Sequence, residues 1–266
     1  KKTAIFVINL EQDIQKKEYI QSHLKKYGIE DYSFIKAVDG RKLSDEQLDK
    51  IYDEDLAIKT YGRGLSRGEI GCALSHLSCC RKIISQNLAG AFVFEDDVAF
   101  MDHTKFLMGN IISNHMKNID IHKHLAKVVL LSHANYFWKY TFAGKLGYGH
   151  SLKRVYRANC AHGYFISYQA AQQMLCFYSK IHMPIDAWDR IQKNTKIKIY
   201  SCYKHCVETK LFASIEPSTR TYSEIKSCGL KKRPLYRRIY RKIRSYYPKR
   251  FLQKVTEYTV GITHYD

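Results

Sequence analysis

The sequence contains no Cys-x-x-Cys pair, no long apolar run, no internal repeat and no low-complexity linker. Without Cys-x-x-Cys pairs there is no zinc-finger framework, and Cys202, His205 and Cys206 are too few and wrongly spaced to replace one. No stretch approaches the roughly 18 apolar residues of a membrane-spanning helix, and the first residues do not read as a signal peptide. The missing repeat excludes a solenoid. Acids are scarce as well. Against 44 Lys and Arg stand 25 Asp and Glu, a net charge of +19. A field of that size favours a polyanionic partner: nucleic acid, an acidic membrane surface or an acidic glycolipid.

What is present fits a globular chain. At 266 residues it can bury one large α/β core or two small ones. Aromatics are plentiful, with 21 Tyr and 12 Phe. Tyrosine joins an apolar face to a polar tip, which suits sugar sites as well as ordinary cores. Eight Cys are scattered along the chain. Cys72, Cys79 and Cys80 lie on one apparent helix, and a chain this long needs no staples. Reduced, mostly buried thiols are expected, in a cytoplasmic protein.

Hydrophobic periodicity gives a coarse map. Residues 3–10 (TAIFVINL) read as a buried strand, 12–27 as a helix stopped at Gly28, and 32–37 as a second strand ending at the Asp39-Gly40 turn. A β-α-β opening implies a parallel sheet with a right-handed crossover. Ser44 opens a short helix. From Ser66 a long helix runs to about Asn87, with Ile70, Ala73, Leu74, Leu77, Cys80 and Ile84 as its apolar stripe. Then AFVFEDDV (91–98) forms a strand that runs straight into three acids. A helix near 104–117, strands near 127–132, 136–150 and 162–167, and a helix over 168–179 follow, and Pro184-Ile185-Asp186 opens another helix.

The three acids Glu95, Asp96 and Asp97 are the focal point. Adjacent like charges repel, and burial raises their pKa. A divalent cation removes both costs, and ligands of open α/β sheets bind at the carboxyl ends of strands. Strand alternation would send Glu95 and Asp97 to one side and Asp96 to the other. Hard oxygen ligands suit Mg2+ or Mn2+. A solvated acidic turn or helix cap is the competing account.

Around this centre the sequence resembles a known family. The run Leu65-Ser66-Arg67-Gly68-Glu69-Ile70-Gly71-Cys72-Ala73-Leu74-Ser75-His76, a strand, and then Glu95-Asp96-Asp97-Val98 are similar to glycosyltransferase family 25, the bacterial lipooligosaccharide galactosyltransferases and their distant collagen-modifying relatives. Val7-Ile8-Asn9-Leu10, Ala37-Val38-Asp39-Gly40, Gly163-Tyr164-Phe165-Ile166-Ser167 and Pro184-Ile185-Asp186 match the same pattern in the same order. The resemblance covers roughly residues 3–190. It implies a GT-A-like fold: one α/β domain over residues 1–229, with a mainly parallel central sheet flanked by helices. It also implies a UDP-sugar donor (typically UDP-galactose), Mn2+ or Mg2+, inversion at the anomeric carbon, and a lipooligosaccharide or lipopolysaccharide core acceptor.

Roles follow from the match. Asp97 is the expected metal ligand, Glu95 the ribose contact, and Asp96 could serve either way. Glu95 stands where the strict motif has Asp, which leaves the bidentate pattern open. Asn9 and Asp39 are expected near the uridine, although both are also common turn formers. Glu69 and His76 are seven residues apart and share a helix face, and Arg67 near the helix start is a phosphate candidate. Asp186 is the expected base for the acceptor hydroxyl, with Asp189 as its substitute. Asp186 could equally cap its helix. Gly163, Tyr164 and Trp188 are expected to border the acceptor, because aromatic faces pack on sugar C–H surfaces.

Composition changes once, near Gly229. Residues 231–250 hold ten Lys or Arg and no acid. Over 235–247, Leu235, Ile239, Ile243 and Tyr246 share one helical face, and Arg237, Arg238, Arg241, Lys242 and Arg244 fill the other. Residues 230–266 are therefore expected to form a basic amphipathic helical segment on an anionic membrane surface, where a glycolipid acceptor resides. That places the chain peripherally on the inner face of a bacterial inner membrane. Packing of the apolar face onto the catalytic domain is the alternative. Two other functions compete. The charge and the Tyr/Arg interleaving suit a nucleic-acid binder, but no recognisable module for specific nucleic acid is present. The acids alone also suit a metal-dependent phosphohydrolase.

Overall fold

The computed structural model describes residues 1–121, 126–210 and 252–254. In chain order the elements are β1 (Thr3–Asn9), α1 (Ile14–Lys26), β2 (Ser33–Lys36), α2 (Asp45–Ile51), α3 (Glu54–Thr60), α4 (Arg67–Ser85), β3 (Gly90–Glu95), β4 (Val98–Phe100), α5 (Thr104–Ile121), β5 (Lys127–Leu130), β6 (Tyr136–Gly147), β7 (His150–Arg157), β8 (Gly163–Ser167), α6 (Tyr168–Phe177), α7 (Trp188–Asn194), β9 (Lys198–Tyr203), β10 (Val207–Thr209) and β11 (Leu252–Lys254). The central sheet has the order β11-β6-β7-β9-β5-β8-β3-β1-β2, and β10 and β4 form a separate two-stranded pair. β1 runs parallel to both β2 and β3, and β5 parallel to β9, with β8 inserted antiparallel between β3 and β5. Through these pairings β1, β2, β3, β5, β6 and β9 point one way, and β7, β8 and β11 the other. The expected α/β architecture, a mainly parallel sheet flanked by helices, is present. The basic segment 231–250 lies outside the described residues; Leu252–Lys254 pairs with β6 at the sheet edge.

Strand alternation builds two cores, one on each face. Phe6, Ile8, Ala91, Val93, Val128, Leu130, Tyr164 and Ile166 pack against α4, α6 and α7. Val7, Phe92, Phe94, Val129 and Phe165, their neighbours in sequence, pack against α1 and α5. Central strands buried on both faces read as continuous apolar runs, and this is why residues 3–9 and 90–94 show no polar alternation.

α4 is the long helix that the sequence predicts, with one change of face. Ile70, Ala73, Leu77, Cys79, Cys80 and Ile83 are buried, while Leu74 and Ile84 only border the core. The stripe is rotated because both sides of α4 have neighbours: the sheet, and the loop after β2. Ser66 and Glu69 form a reciprocal capping box at its start. Among the described residues no cysteine is disulfide-bonded: Cys79, Cys80, Cys202 and Cys206 are buried, and Cys72 and Cys176 are exposed. No described helix is long and apolar enough to cross a membrane.

The loop after β2 lies directly on the α4 backbone. A Cβ on Gly71 would stand 2.5 Å from both Val38 O and Gly40 N, and one on Gly40 would overlap Arg67 O. Ser75 then fixes the contact. Its hydroxyl accepts from Val38 N–H at 2.8 Å and donates to Gly71 O at 2.7 Å. Gly71→Ala forces two backbones apart and is expected to cost about 1–3 kcal/mol. Gly109, exposed within α5 with open space around it, should instead gain about 0.5–1 kcal/mol on replacement by Ala. Urea unfolding of both variants tests the contrast; a Gly71→Ala protein as stable as the parent would remove the close-packing argument.

Candidate active site

The chemistry gathers at the carboxyl ends of β1, β2 and β3. Antiparallel β8 brings its first residues to the same end, because Gly163 pairs with Phe94. β3 stops at Glu95, and Asp96 and Asp97 form a turn into β4. Alternation therefore ends at Glu95, and the expected split of Asp96 from Asp97 does not occur. Lys16 of α1 reaches both, 3.6 Å from Asp96 Oδ1 and 3.7 Å from Asp97 Oδ2.

This turn is clamped on several sides. Tyr19 O–H donates to Val98 O at 3.3 Å, and Phe100 N–H donates to His23 Nε2 at 2.6 Å. From the other side, Lys210 N–H donates to Asp97 O at 2.7 Å, next to the β4–β10 pairing. Asn9, at the end of β1, donates from Nδ2 to Asp96 Oδ2 at 2.8 Å and to Asp13 O at 3.2 Å. It thus holds an acid of the turn and ties it to the start of α1.

The three acids sit in different environments. For Glu95, burial alone would raise the pKa. The hydrogen bond from His76 Nε2 to Oε1 at 3.1 Å outweighs it, together with the nearby His76, His162 and Lys16, so Glu95 lies below the usual range. Asp96 is raised by burial, partly offset by Asn9 and Lys16. Asp97 is pushed up to about 6, by burial and then by the Glu95 charge, against the opposing pull of Lys16. Its Oδ1 is buried without a hydrogen-bond partner among the described residues. Lys16 responds in turn: burial alone would lower its pKa, yet Asp96, Asp97 and Asp13 leave it raised.

An unpaired, buried carboxylate oxygen beside two more acids is the donor set that a hard divalent cation takes. Among the expected ligands, Asp97 fits this best. Glu95 is close by, with His76 on its Oε1, and Asp96 is already engaged by Asn9 and Lys16.

His76 is placed by α4 and fixed from below. Its Nδ1 lies 2.9 Å from Tyr164 Oη, and the two rings stack with centroids 5.7 Å apart. The Tyr164 ring meets Trp188 edge-on at 5.4 Å, and Trp188 Nε1–H donates to Cys160 O at 2.8 Å. Tyr164 and Trp188 are 1% and 0% exposed, so they support His76 from beneath rather than forming an open acceptor wall. Gly163 is buried as well, and a Cβ there would meet Val207 at 2.8 Å. All three residues expected to border the acceptor are thus packed into the core.

Other expected residues are engaged in holding the frame. Arg67 bonds Asp45 and Leu43 O, not open cleft. Glu69 is bound by the Arg63 guanidinium, at 2.6 and 2.9 Å, in addition to the α4 cap. Asp39 is on the correct edge, but Arg41 and Gln12 hold its carboxylate, and Arg41 lowers its pKa to about 2. Asp186 does not cap α7, whose N-cap is Ala187. It is half-buried; burial raises its pKa, with further raising by Glu95 and Glu69. Asp189 pairs with Lys193 at 3.3 Å.

Lys16, Cys72 and His162 belong to the site without being anticipated. His162 is buried, with Nε2 unpartnered among the described residues, and its carbonyl receives the Glu95 N–H. Position before the Gly163 strand was its one sequence cue. Lys16 had none, because only the fold brings the first turn of α1 to the acids.

An α/β chain with an acidic turn at the carboxyl ends of parallel strands has the layout at which open-sheet folds bind their ligands. The family described as "Glycosyltransferase family 25 (LPS biosynthesis protein)" matches residues 2–188, and the chain belongs to that family. A Xenopus laevis procollagen galactosyltransferase 1-A is 36% identical over 99 residues, covering 36% of this chain and 16% of that protein. A putative glycosyltransferase, R655, of Acanthamoeba polyphaga mimivirus is 30% identical over 174 residues, covering 63% and 51%. A mouse protein named inactive glycosyltransferase 25 family member 3 is 34% identical over 106 residues, covering 37% and 17%. The chain thus spans about half of the viral relative and under a fifth of the two animal ones. Since one relative is named inactive, membership alone does not decide activity.

The raised pKa of Asp97 has a measurable sign. The folded chain holds that proton more tightly than the unfolded one, so ionising Asp97 destabilises the metal-free fold. This cost develops as pH rises from about 4 through about 6 and is complete above that, on the order of 3 kcal/mol at most. Asp97→Asn should therefore be more stable than the parent at pH 8 without metal, and the difference should shrink as pH falls toward 4. Chemical unfolding at both pH values measures it; an Asn variant no more stable at pH 8 refutes the strained carboxylate.

Proposed function

We propose that this chain is an inverting, Mn2+-dependent glycosyltransferase. It moves a hexose, galactose first among the candidates, from a UDP-sugar to a lipooligosaccharide or lipopolysaccharide core. The observation that carries the reading is the orphaned, buried oxygen of Asp97 at the carboxyl end of β3. Membership of family 25 and the galactosyltransferase name of the Xenopus relative support the sugar-transfer chemistry. The family description supports the acceptor class.

In this reading Asp97 holds the ion, with Glu95 beside it facing the donor. An ion held there would supply Lewis-acid neutralisation of the departing diphosphate. Lys16 adds fixed positive charge at the same place. Asn9 holds Asp96 and so keeps the acidic turn in register. His76 orients Glu95 by its hydrogen bond. Asp186 takes the proton from the acceptor hydroxyl as the new bond forms, and its raised pKa brings it nearer the working pH, where a general base is most effective. The half-exposed carboxylate is the group available to an incoming acceptor. Residues 231–250 would bring the enzyme to anionic lipid, at about 1 kcal/mol for each basic residue near the surface.

UDP-galactose with Mn2+ should raise the melting temperature of the parent, and Asp97→Ala should abolish the rise; an undiminished rise in the variant would overturn the metal assignment. Asp186→Asn should retain that rise and lose sugar transfer by about 100-fold or more. Transfer at the parental rate would remove Asp186 as the base. Replacing Arg237, Arg238, Arg241 and Lys242 together by Ala should weaken sedimentation with anionic vesicles, while leaving the donor-dependent melting shift in place. Equal sedimentation would remove the membrane role.

A further inference from the structure

A second group of metal-ligating side chains meets the acidic turn: it shares His76 and Glu95 with the reaction above and adds Cys72, which has no part there. Cys72 and His76 are four residues apart on α4, so they project from the same helical face. That face meets the end of β3 at Glu95. The Cys72 thiol, an imidazole nitrogen of His76 and a Glu95 carboxylate oxygen lie within 4.8 Å of one another. Cys72 is exposed, so an ion has access, whereas His76 is buried.

We propose that Cys72, His76 and Glu95 form a binding site for a thiophilic divalent cation of the Zn2+ class, separate in its chemistry from the oxygen site at Asp97. One sulfur, one nitrogen and one oxygen donor is a borderline-soft set that suits Zn2+ or Cd2+. Asp97 and its neighbours offer oxygen alone, which suits Mn2+ or Mg2+. Three protein ligands leave a fourth tetrahedral position for water or a ligand oxygen.

The surroundings favour the ion. Glu95, Asp186, Glu69 and Asp97 all set negative charge around Cys72. The same field attracts a cation. A coordinating thiol is deprotonated by the metal itself.

The second shell is already in place. With Nε2 turned to Glu95, His76 Nδ1 stands against Tyr164 Oη at 2.9 Å. On binding, the Cys72 S–H bond breaks, a sulfur–metal bond forms and the proton leaves to solvent. The His76 ring proton moves from Nε2 to Nδ1, where it donates to the Tyr164 oxygen, and the freed Nε2 lone pair binds the ion. Such an outer partner fixes both tautomer and ring orientation. Trp188 in turn buttresses Tyr164. Occupation would withdraw Glu95 from the donor, so a thiophilic ion should inhibit sugar transfer; this consequence alone rests on the proposed function.

Cd2+ titration of the full chain, followed by thiolate-to-cadmium ultraviolet absorption, tests binding without reference to catalysis. One equivalent should produce a band that disappears in both Cys72→Ser and Cys72→Ala and persists in Cys176→Ser. Tyr164→Phe should weaken the binding by about 10–100-fold. A wild-type chain that gives no band, or a band that survives both Cys72 substitutions, overturns the proposal. If the band behaves as expected and no sugar transfer is found, the metal site stands and the functional reading falls.

Discussion

The structure turns on the cost of placing three carboxylates at the end of a strand buried on both faces. Phe94 is fully buried, and the chain then presents Glu95, Asp96 and Asp97 in succession. Each acid is compensated differently. Glu95 is held by His76, Asp96 by Asn9 and Lys16, and Asp97 by Lys16 on one oxygen, while its Oδ1 has no partner among the described residues. The compensation is incomplete at Asp97, and that deficit is what an ion would supply. Strain of this kind persists only where the surroundings over-determine the geometry. Here the backbone of the turn is tied to α1, to β10 and to the start of β8.

α4 brings His76 to the end of β3, opposite the α1 side chains that hold the turn. Its first half is pressed onto the loop after β2 through Gly40, Gly71 and Ser75, with no side chain between the two backbones. This contact fixes the rotation of the helix. Rotation in turn aims Cys72 and His76 at the end of β3. Tyr164 stacks on His76 and bonds its Nδ1, and Trp188 meets Tyr164 edge-on. The proximity of Cys72, His76 and Glu95 is a consequence of that packing, and it places sulfur and nitrogen donors beside the oxygens of the acidic turn.

Much of the frame was legible in the sequence because it rests on local rules. Apolar runs bounded by turns gave the central strands, the β-α-β opening gave the parallel pairing, and the apolar stripe beginning after Ser66 gave α4. The motif order gave the family. Legibility failed where a side chain had two plausible partners. Arg67 and Glu69 read as phosphate and donor contacts, yet Asp45 and Arg63, distant or unremarkable in sequence, engage them. Tyr164 and Trp188 read as sugar-facing aromatics, yet the core claims both rings.

By itself, then, the sequence determined the fold class, the acidic centre and the residue types available to it. These follow from periodicity and spacing, which are properties of neighbouring residues. Only the tertiary structure decided which carboxylate is left unsatisfied, that Lys16 bridges Asp96 and Asp97, and that Cys72 joins His76 and Glu95. Those outcomes depend on burial and on distances between segments far apart in the chain. Asn9 and Asp96 are 87 positions apart and share one hydrogen bond of 2.8 Å. No local pattern encodes that contact, because it forms only when β1 and β3 lie side by side and end at the same edge.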